Sequence, residues 1–471
     1  MKPTTTIVAL VTGIALGVAT ARTQGVKTFI AYPDVKPILD ALRADLLPED
    51  LRGQTPAALE AAWPAWVSRR DAAIRARVEE GDEDSVIYLL LFGTTFTKRP
   101  PITEQELAGV VVQTGGPMAA RFVPSPLLKA RIEEFLAAVA SPGTNERLQF
   151  ARQVIERKGM DTAAAAGRDR IGQYLEERIS IVGRAERTSR LLAPDTALVD
   201  KLTLFRDRGL SSDTSIFIDF GIEQALDAMK AQAVLGPRTV RRVAIVGPGL
   251  DFIDKQNGYD FYTPQTIQPF ALIDSLIRLE LAEPGDLAVT AFDLSPRVLQ
   301  HLDAARTRAR AGTPYSVVLP RSTERPWSPD LADYWQRLGN WIGEPAVQVS
   351  SPPPGAGRVE VRGVSIRPSI VQVVTPLDLN IVTERLEVSP GEPFDLVIAT
   401  NILLYYDVFE QSLASTNIAR MLRPGGFLLT NNRVFELPQS PLSGVGYTDV
   451  TYMSLPGVGE TGDRIVWYQK Q

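Results

Sequence analysis

Residues 394–429 read FDLVIATNILLYYDVFEQSLASTNIARMLRPGGFLL, and the fold turns on this stretch. The run from Phe394 is almost wholly apolar up to Asn401, the pattern of a strand buried on both faces. An apolar-aromatic segment, Ile402 to Tyr406, follows, and then a long helical pattern. Arg423-Pro424-Gly425-Gly426 breaks that helix and a second apolar run begins. Strand, crossover helix and strand together make one unit of a parallel sheet.

The same style extends back to Arg242. RVAIVG, LAVTAFDLS, IVQVVTPLD and GFLLTNN read as strands, and FALIDSLIRLEL and RVLQHLDAARTRA read as helices between them. The end, VGYTDVTYMSLPGVGETGDRIVWYQKQ, reads as two strands around a Gly-rich turn, an antiparallel hairpin closing the sheet. From about Asp34 to Leu235 the spacing is helical instead, with Pro64 as a break point and Val86–Thr97 as the most apolar piece.

Ligands of open parallel sheets bind at the carboxyl ends of the strands, and four such ends carry suggestive residues. Gly247-Pro248-Gly249, with Asp251 close behind, lets a ligand approach the backbone. Asp293 and Leu294 end a second strand, where a carboxylate can accept both hydroxyls of a ribose or merely cap the helix that starts at Pro296. Asp378 and Leu379 end a third, placed to meet an adenine amino group or to form an ordinary turn. Asn401 and Ile402–Tyr406 end the fourth.

With its LRPGG turn, the stretch from Phe394 to Leu429 resembles the class I S-adenosylmethionine-dependent methyltransferases, and the likeness spans Val243 to Lys470. WSPDLADYWQRLGN, VSIRPSIVQVVTPLDLN and FDLVIATNILLYYD echo the chemotaxis-receptor glutamate methyltransferases in the same order. The resemblance implies an α/β fold: a Rossmann-like, mostly parallel, seven-stranded sheet ending in an antiparallel hairpin, preceded by an all-helical N-terminal domain. It implies domains at 22–235 and 236–471, with an inserted subdomain at about 313–369. It implies S-adenosyl-L-methionine as cofactor, held along Gly247, Pro248, Gly249, Asp251, Asp293, Leu294, Asp378, Leu379 and Asn401. Tyr405 or Tyr406 would orient the acceptor, an oxygen (a carboxylate included) or a nitrogen.

Two departures stand out. The family has an acid near the position of Ile245 and a third glycine where Asp251 stands. Asp251 can face the methionine ammonium or obstruct the pocket. Residues 254–266 also separate the glycine turn from the next helix, so no helix N-terminus lies directly behind the glycines for a pyrophosphate, which disfavours a dinucleotide. Tyr259 and Tyr262 in this insert form either a lid or a packed loop. An exported, non-catalytic binding protein that keeps the fold is the competing reading.

Composition narrows the chemistry. The 471 residues include no cysteine and one histidine, His301, in a helical pattern. Thiol catalysis and cysteine zinc sites are excluded, and a histidine base is disfavoured. A net charge of -5 gives no reason to expect nucleic acid. Lys2, the apolar run Ile7–Ala19 and Ala19-Thr20-Ala21 form the plan of a secretory signal over residues 1–21, with an inner-membrane anchor and a cytoplasmic catalytic domain as the alternative. Trp327, Trp335 and Trp341 in the insertion build either its small core or a surface for the acceptor or a partner.

Overall fold

Apolar runs too short for helices and too continuous for a half-exposed sheet are satisfied here as central parallel strands. The computed structural model describes residues 25–471 apart from 104–105, 108–110, 114–119, 165–166, 192–204, 207, 254–256, 347–350, 354–355, 390–391 and 456–458. The expected signal or anchor at 1–21 lies outside the described residues. Among those described, no helix is long and apolar enough to cross a membrane.

The N-terminal half begins with a short strand, β1 (Val26–Phe29), and helices α1 (Tyr32–Ala41) and α2 (Pro56–Phe92). The hairpin β2 (Val111–Gln113) and β3 (Ala120–Phe122) follows, then α3 (Pro126–Ala140), α4 (Glu146–Arg157), α5 (Arg168–Leu191) and α6 (Ile216–Ala231). The second half runs β4 (Arg242–Val246), α7 (Gln268–Arg278), β5 (Ala288–Asp293), α8 (Pro296–Arg310), β6 (Tyr315–Ser322), α9 (Pro329–Arg337), β7 (Gly343–Pro345) and β8 (Val359–Ile366). It ends with β9 (Val374–Asp378), β10 (Glu384–Glu387), β11 (Phe394–Ile398), α10 (Val408–Met421), β12 (Leu422–Thr430), β13 (Leu442–Leu455) and β14 (Gly459–Lys470).

The main sheet has the order β13-β14-β12-β11-β4-β5-β9. Neighbours from β9 to β12 are parallel, and β14 runs antiparallel between β12 and β13. The alternating pattern after Arg242 and the closing hairpin are both realised. The order reverses between β4 and β11, which opens a crevice at their carboxyl ends. The insertion forms its own antiparallel sheet, β6-β8-β7, with α9. Buried Asp274 on α7 anchors it by accepting the Gly339 and Trp341 backbone N–H groups, both at 2.9 Å.

The N-terminal half is not a separate all-helical domain. Its strand β1 pairs with β10 of the second half. Ile30, Val35, Trp63, Val67 and Ile74 share one core with Ala244, Val397 and Phe409 on one face of the sheet. On the other face α6 packs through Phe217, Leu226 and Met229 against Val243, Ile245 and Ile465. Among the described residues, α3–α5, the end of α2 and the segment with Ile102 and Leu107 form a core of their own, and even that takes in Phe252 and Ile253. The boundary at 235/236 therefore divides a continuous packing unit. Apolar helical periodicity reveals a face that needs burying but not what buries it.

Helix α2 also overrides the expected break at Pro64. That residue lies on the exposed face, while Trp63 and Trp66 stack at 4.9 Å on the buried one. Further along, Gly81 lets another segment cross the helix. A Cβ there would meet the Leu210 carbonyl oxygen at 1.8 Å, and Leu210 N–H donates to the Arg77 carbonyl at 3.0 Å. In an exposed helix, Gly→Ala gains about 1 kcal/mol. Here the methyl would force the crossing segment away, so Gly81→Ala is expected to destabilise by about 1–3 kcal/mol, read as a lower urea midpoint.

Candidate functional site

The crevice at the switch point is a cavity of about 400 Å³, a size typical of small-molecule sites. Its floor is the set of strand ends predicted from the sequence. Gly247 and Gly249 sit at φ +67° and +70°, a region open to glycine. A Cβ on Gly247 would meet Ile402 Cδ1 at 2.2 Å, and one on Gly249 would meet the Ser212 carbonyl oxygen at 2.7 Å. Gly247, Gly249, Asp251, Asp293, Leu294, Leu379, Asn401, Tyr405 and Tyr406 all line the cavity.

Asp293 leaves β5 facing the glycine turn. Its carboxylate accepts the Ser295 N–H at 2.7 Å, and the Leu294 and Gly249 N–H groups also point at it. Burial raises its pKa to about 6, and these donors and Arg297 pull the other way. It is ionised at neutral pH and committed on only part of its lone-pair set.

Asp378 departs from expectation. It stands beside Asp293 in strand register, yet Arg75 of α2 binds its carboxylate at 2.6 Å, its side chain is half exposed, and it does not line the cavity. Arg75 also holds Asp71 and Glu384, so the pair belongs to the tie between α2 and the sheet. Pro248 is buried beside the turn and does not line the cavity either.

Asp251 lines the cavity without filling it. Tyr262 Oη and Gln265 Nε2 each donate to its carboxylate at 3.0 Å. Both expected lid tyrosines are buried: Tyr262 belongs to the cavity wall, whereas Tyr259 packs against Phe261 outside it. Residues 257–262 dock on the helical half, where Asp260 accepts the Thr94 and Thr95 N–H and hydroxyl groups.

Asn401 takes φ +58° at the end of β11. It exchanges two hydrogen bonds with Asn431, its N–H donating to Asn431 Oδ1 at 2.8 Å and its Oδ1 accepting from Asn431 Nδ2 at 2.7 Å. Tyr406 is buried, and burial pushes its hydroxyl pKa up, which removes it as a base near neutral pH. Tyr405 is half-buried beside Phe205, and its carbonyl accepts from Arg77 at 2.8 Å. His301 lies outside the site, bonded to Tyr315 Oη at 2.8 Å, with its pKa depressed by burial to about 4. The tryptophans divide: Trp335 is core, Trp327 lines the cavity and Trp341 is exposed.

Sequence reading missed the roof. Residues 210–218 line the cavity one after another, and Leu250 N–H donates to the Ser212 carbonyl at 2.6 Å. Their SSDTS composition resembles a linker. It also missed Gln268, whose Nε2 donates to Thr400 Oγ1 at 3.2 Å on the cavity wall.

Next to Gln268, Asp219 is fully enclosed and neither carboxylate oxygen has a hydrogen bond of full geometry. Burial raises its pKa to about 8, so it is mostly neutral at pH 7. The folded protein thus keeps a proton that the unfolded chain releases near the ordinary carboxylate pKa, and this contribution to stability falls as pH rises from about 4 to about 8. Asp219→Asn removes that dependence. By differential scanning fluorimetry, its Tm relative to wild type is expected to improve by several degrees between about pH 5 and about pH 8.5.

No family model matches the chain, and no curated protein does. Among solved structures it is similar to the N-methyltransferase NodS from Bradyrhizobium japonicum WM9, at 12% identity over 55% of this chain and 98% of that one, TM-score 0.25. Magnesium protoporphyrin IX methyltransferase from Synechocystis PCC 6803, with bound SAM, is 11% identical over 54% and 82%, TM-score 0.25. A TehB-like SAM-dependent methyltransferase from Corynebacterium glutamicum ATCC 13032 is 11% identical over 62% and 97%, TM-score 0.24.

Proposed function

We propose that the protein is an S-adenosylmethionine-dependent methyltransferase acting on an oxygen or nitrogen acceptor. One observation carries the reading: a single cavity at the switch point gathers two glycines with positive φ, a strand-end carboxylate aimed at their turn and an apolar-aromatic segment on the opposite strand end. A sulfonium donor brings an already activated methyl, so the chain's task is alignment rather than strong acid-base chemistry. That suits a wall without histidine among the described residues.

In this reading Asp293 accepts the ribose hydroxyls, and Leu294 and Leu379 flank the adenine. The backbone at Gly247–Gly249 takes the methionine portion, with Asp251 facing its ammonium. Asn401 holds the end of β11 in place beside the methyl, through Asn431. Export by the N-terminal signal, or anchoring with the catalytic domain in the cytoplasm, belongs to the same proposal; only the second gives direct access to a donor made in the cytoplasm.

Calorimetric titration of the full chain with S-adenosylmethionine tests the reading. Micromolar binding is expected, at least tenfold weaker in Asp293→Ala and within twofold of wild type in Asp378→Ala. Affinity should fall as pH drops through about 6, where Asp293 protonates and loses an acceptor. No binding by folded protein would favour the non-catalytic binding protein.

A further inference from the structure

The donor reading leaves one part of the cavity wall without a task. Phe217, at the start of α6, lines the cavity together with Val318, Leu319, Pro320 and Trp327 of the insertion.

This wall is apolar down to its backbone. β6 is the edge strand of the β6-β8-β7 sheet, and a free edge ordinarily shows N–H and C=O groups. Gln265 covers it at the cavity. Val318 N–H donates to Gln265 Oε1, and the Val318 carbonyl accepts from Gln265 Nε2, both at 2.7 Å. The Leu319 carbonyl accepts from Trp335 Nε1 at 3.1 Å, and Pro320 has no N–H to offer. At the start of α6, Ser215 Oγ accepts the Phe217 N–H at 3.4 Å, and the Ser215 carbonyl accepts the Ile218 N–H at 3.2 Å. A ligand on this wall meets mainly carbon.

The wall is also aromatic, and its backbone is fixed. The Phe217 and Trp327 rings lie edge-on at 5.4 Å, and Phe217 meets Tyr452 of β13 at 5.3 Å. Trp327 bridges to Met453, and the next residue, Ser328, donates its N–H to the Tyr452 carbonyl at 2.8 Å. Ser328 Oγ in turn caps α9 by accepting the Leu331 N–H at 3.3 Å. The Arg321 guanidinium lies over the Trp327 and Trp335 rings at 5.4 and 5.6 Å, with Glu360 at 3.9 Å, and does not line the cavity.

Resting on the donor reading above, we infer that the acceptor carries a flat aromatic ring, which seats against Phe217, Pro320 and Trp327. A polar body would lose its water here for few hydrogen bonds in return. A ring instead joins the aromatic pair by edge or offset contacts, which add to the apolar area it buries. The sheet order agrees. Asp293, the acid assigned to the ribose, ends β5, whereas Phe217 and Trp327 reach the cavity from beside the end of β13. The switch point between β4 and β11 lies between these two places. Ribose and acceptor ring would therefore take opposite sides of it, with the methyl between them.

The test uses the full chain saturated with S-adenosylhomocysteine and two probes of one carbon skeleton, 4-methylphenol and trans-4-methylcyclohexanol, titrated by calorimetry. The aromatic probe is expected to bind about fivefold more tightly. Trp327→Leu is expected to bring the two probes close to parity and to leave S-adenosylhomocysteine affinity within twofold of wild type. Trp327→Phe should restore part of the preference, and Phe217→Leu, on the other half of the ring pair, should reduce it independently. Equal or tighter binding of the saturated ring, binding of neither probe, or a preference unchanged in folded Trp327→Leu and Phe217→Leu overturns the assignment. Failure of folded wild-type protein to take up S-adenosylhomocysteine is a separate result: it removes the donor reading, and the acceptor assignment with it.

Discussion

The site depends on two places where backbone crosses backbone at glycine. Residues 208–212 are pressed between helix α2 and the turn after β4. On one side Gly81 leaves room for the Leu210 carbonyl, and on the other Gly249 leaves room for the Ser212 carbonyl. Each crossing is fixed by a backbone hydrogen bond, Leu210 N–H to Arg77 O and Leu250 N–H to Ser212 O. A side chain at either glycine would separate the strands' ends from their roof. The cavity exists because the N-terminal half contributes a lid of backbone, and that lid is located to within the width of a methyl group.

The rest of the N-terminal half holds that lid in register. Arginines bridge it to the second half at several points: Arg70 to Glu410, Arg75 to Asp378 and Glu384, and Arg385 and Arg420 to Asp34. Partly exposed pairs of this kind contribute about 0–1 kcal/mol each, whereas each large apolar side chain buried on the sheet contributes about 1.5–3 kcal/mol. The apolar face of α1 and α2 therefore supplies most of the adhesion. The arginine pairs add direction, because a bidentate or bridging guanidinium tolerates little sliding. Arg75 shows the consequence: by joining α2 to Asp378 on β9 and Glu384 on β10, it withdraws Asp378 from the cavity side.

What the sequence made legible follows from how locally each feature is determined. Alternating strand and helix patterns and the closing hairpin are set by a few neighbouring residues, and the structure has them; the glycine turn follows β4 and Asp293 ends β5, as their local sequence implies. Asp293 and Asp378 show where local reading stops. Both end strands, in direct register with each other. Backbone position is the same for both, but the partner is decided from outside, by the Gly249 turn for one and by an arginine some 300 residues distant in sequence for the other. The roof was illegible for a similar reason. A polar SSDTS run has no periodicity, and nothing local distinguishes a linker from a lining segment whose contacts are all long-range.

Asp251 and the insert after it look like two separate departures from the pattern the sequence resembles, but they form one unit. The insert supplies Tyr262 and Gln265, and both donate to the Asp251 carboxylate. Gln265 also exchanges hydrogen bonds of 2.7 Å with the Val318 backbone on β6, which belongs to the second insertion. Thr266 repeats the arrangement: its hydroxyl donates to the Gly249 carbonyl, and its N–H donates to Tyr315 Oη. A glycine at 251 would leave the Tyr262 hydroxyl and one of the Gln265 amide hydrogens without this acceptor in a buried place, a cost of about 1–3 kcal/mol each. Without the insert, the carboxylate would lose these donors. Random decay removes partners one at a time and leaves such groups unsatisfied. Here the acid and the residues that satisfy it are present together, and they join the glycine turn to the subdomain that brings Trp327 into the cavity. The departures therefore read as one jointly built wall of the cavity.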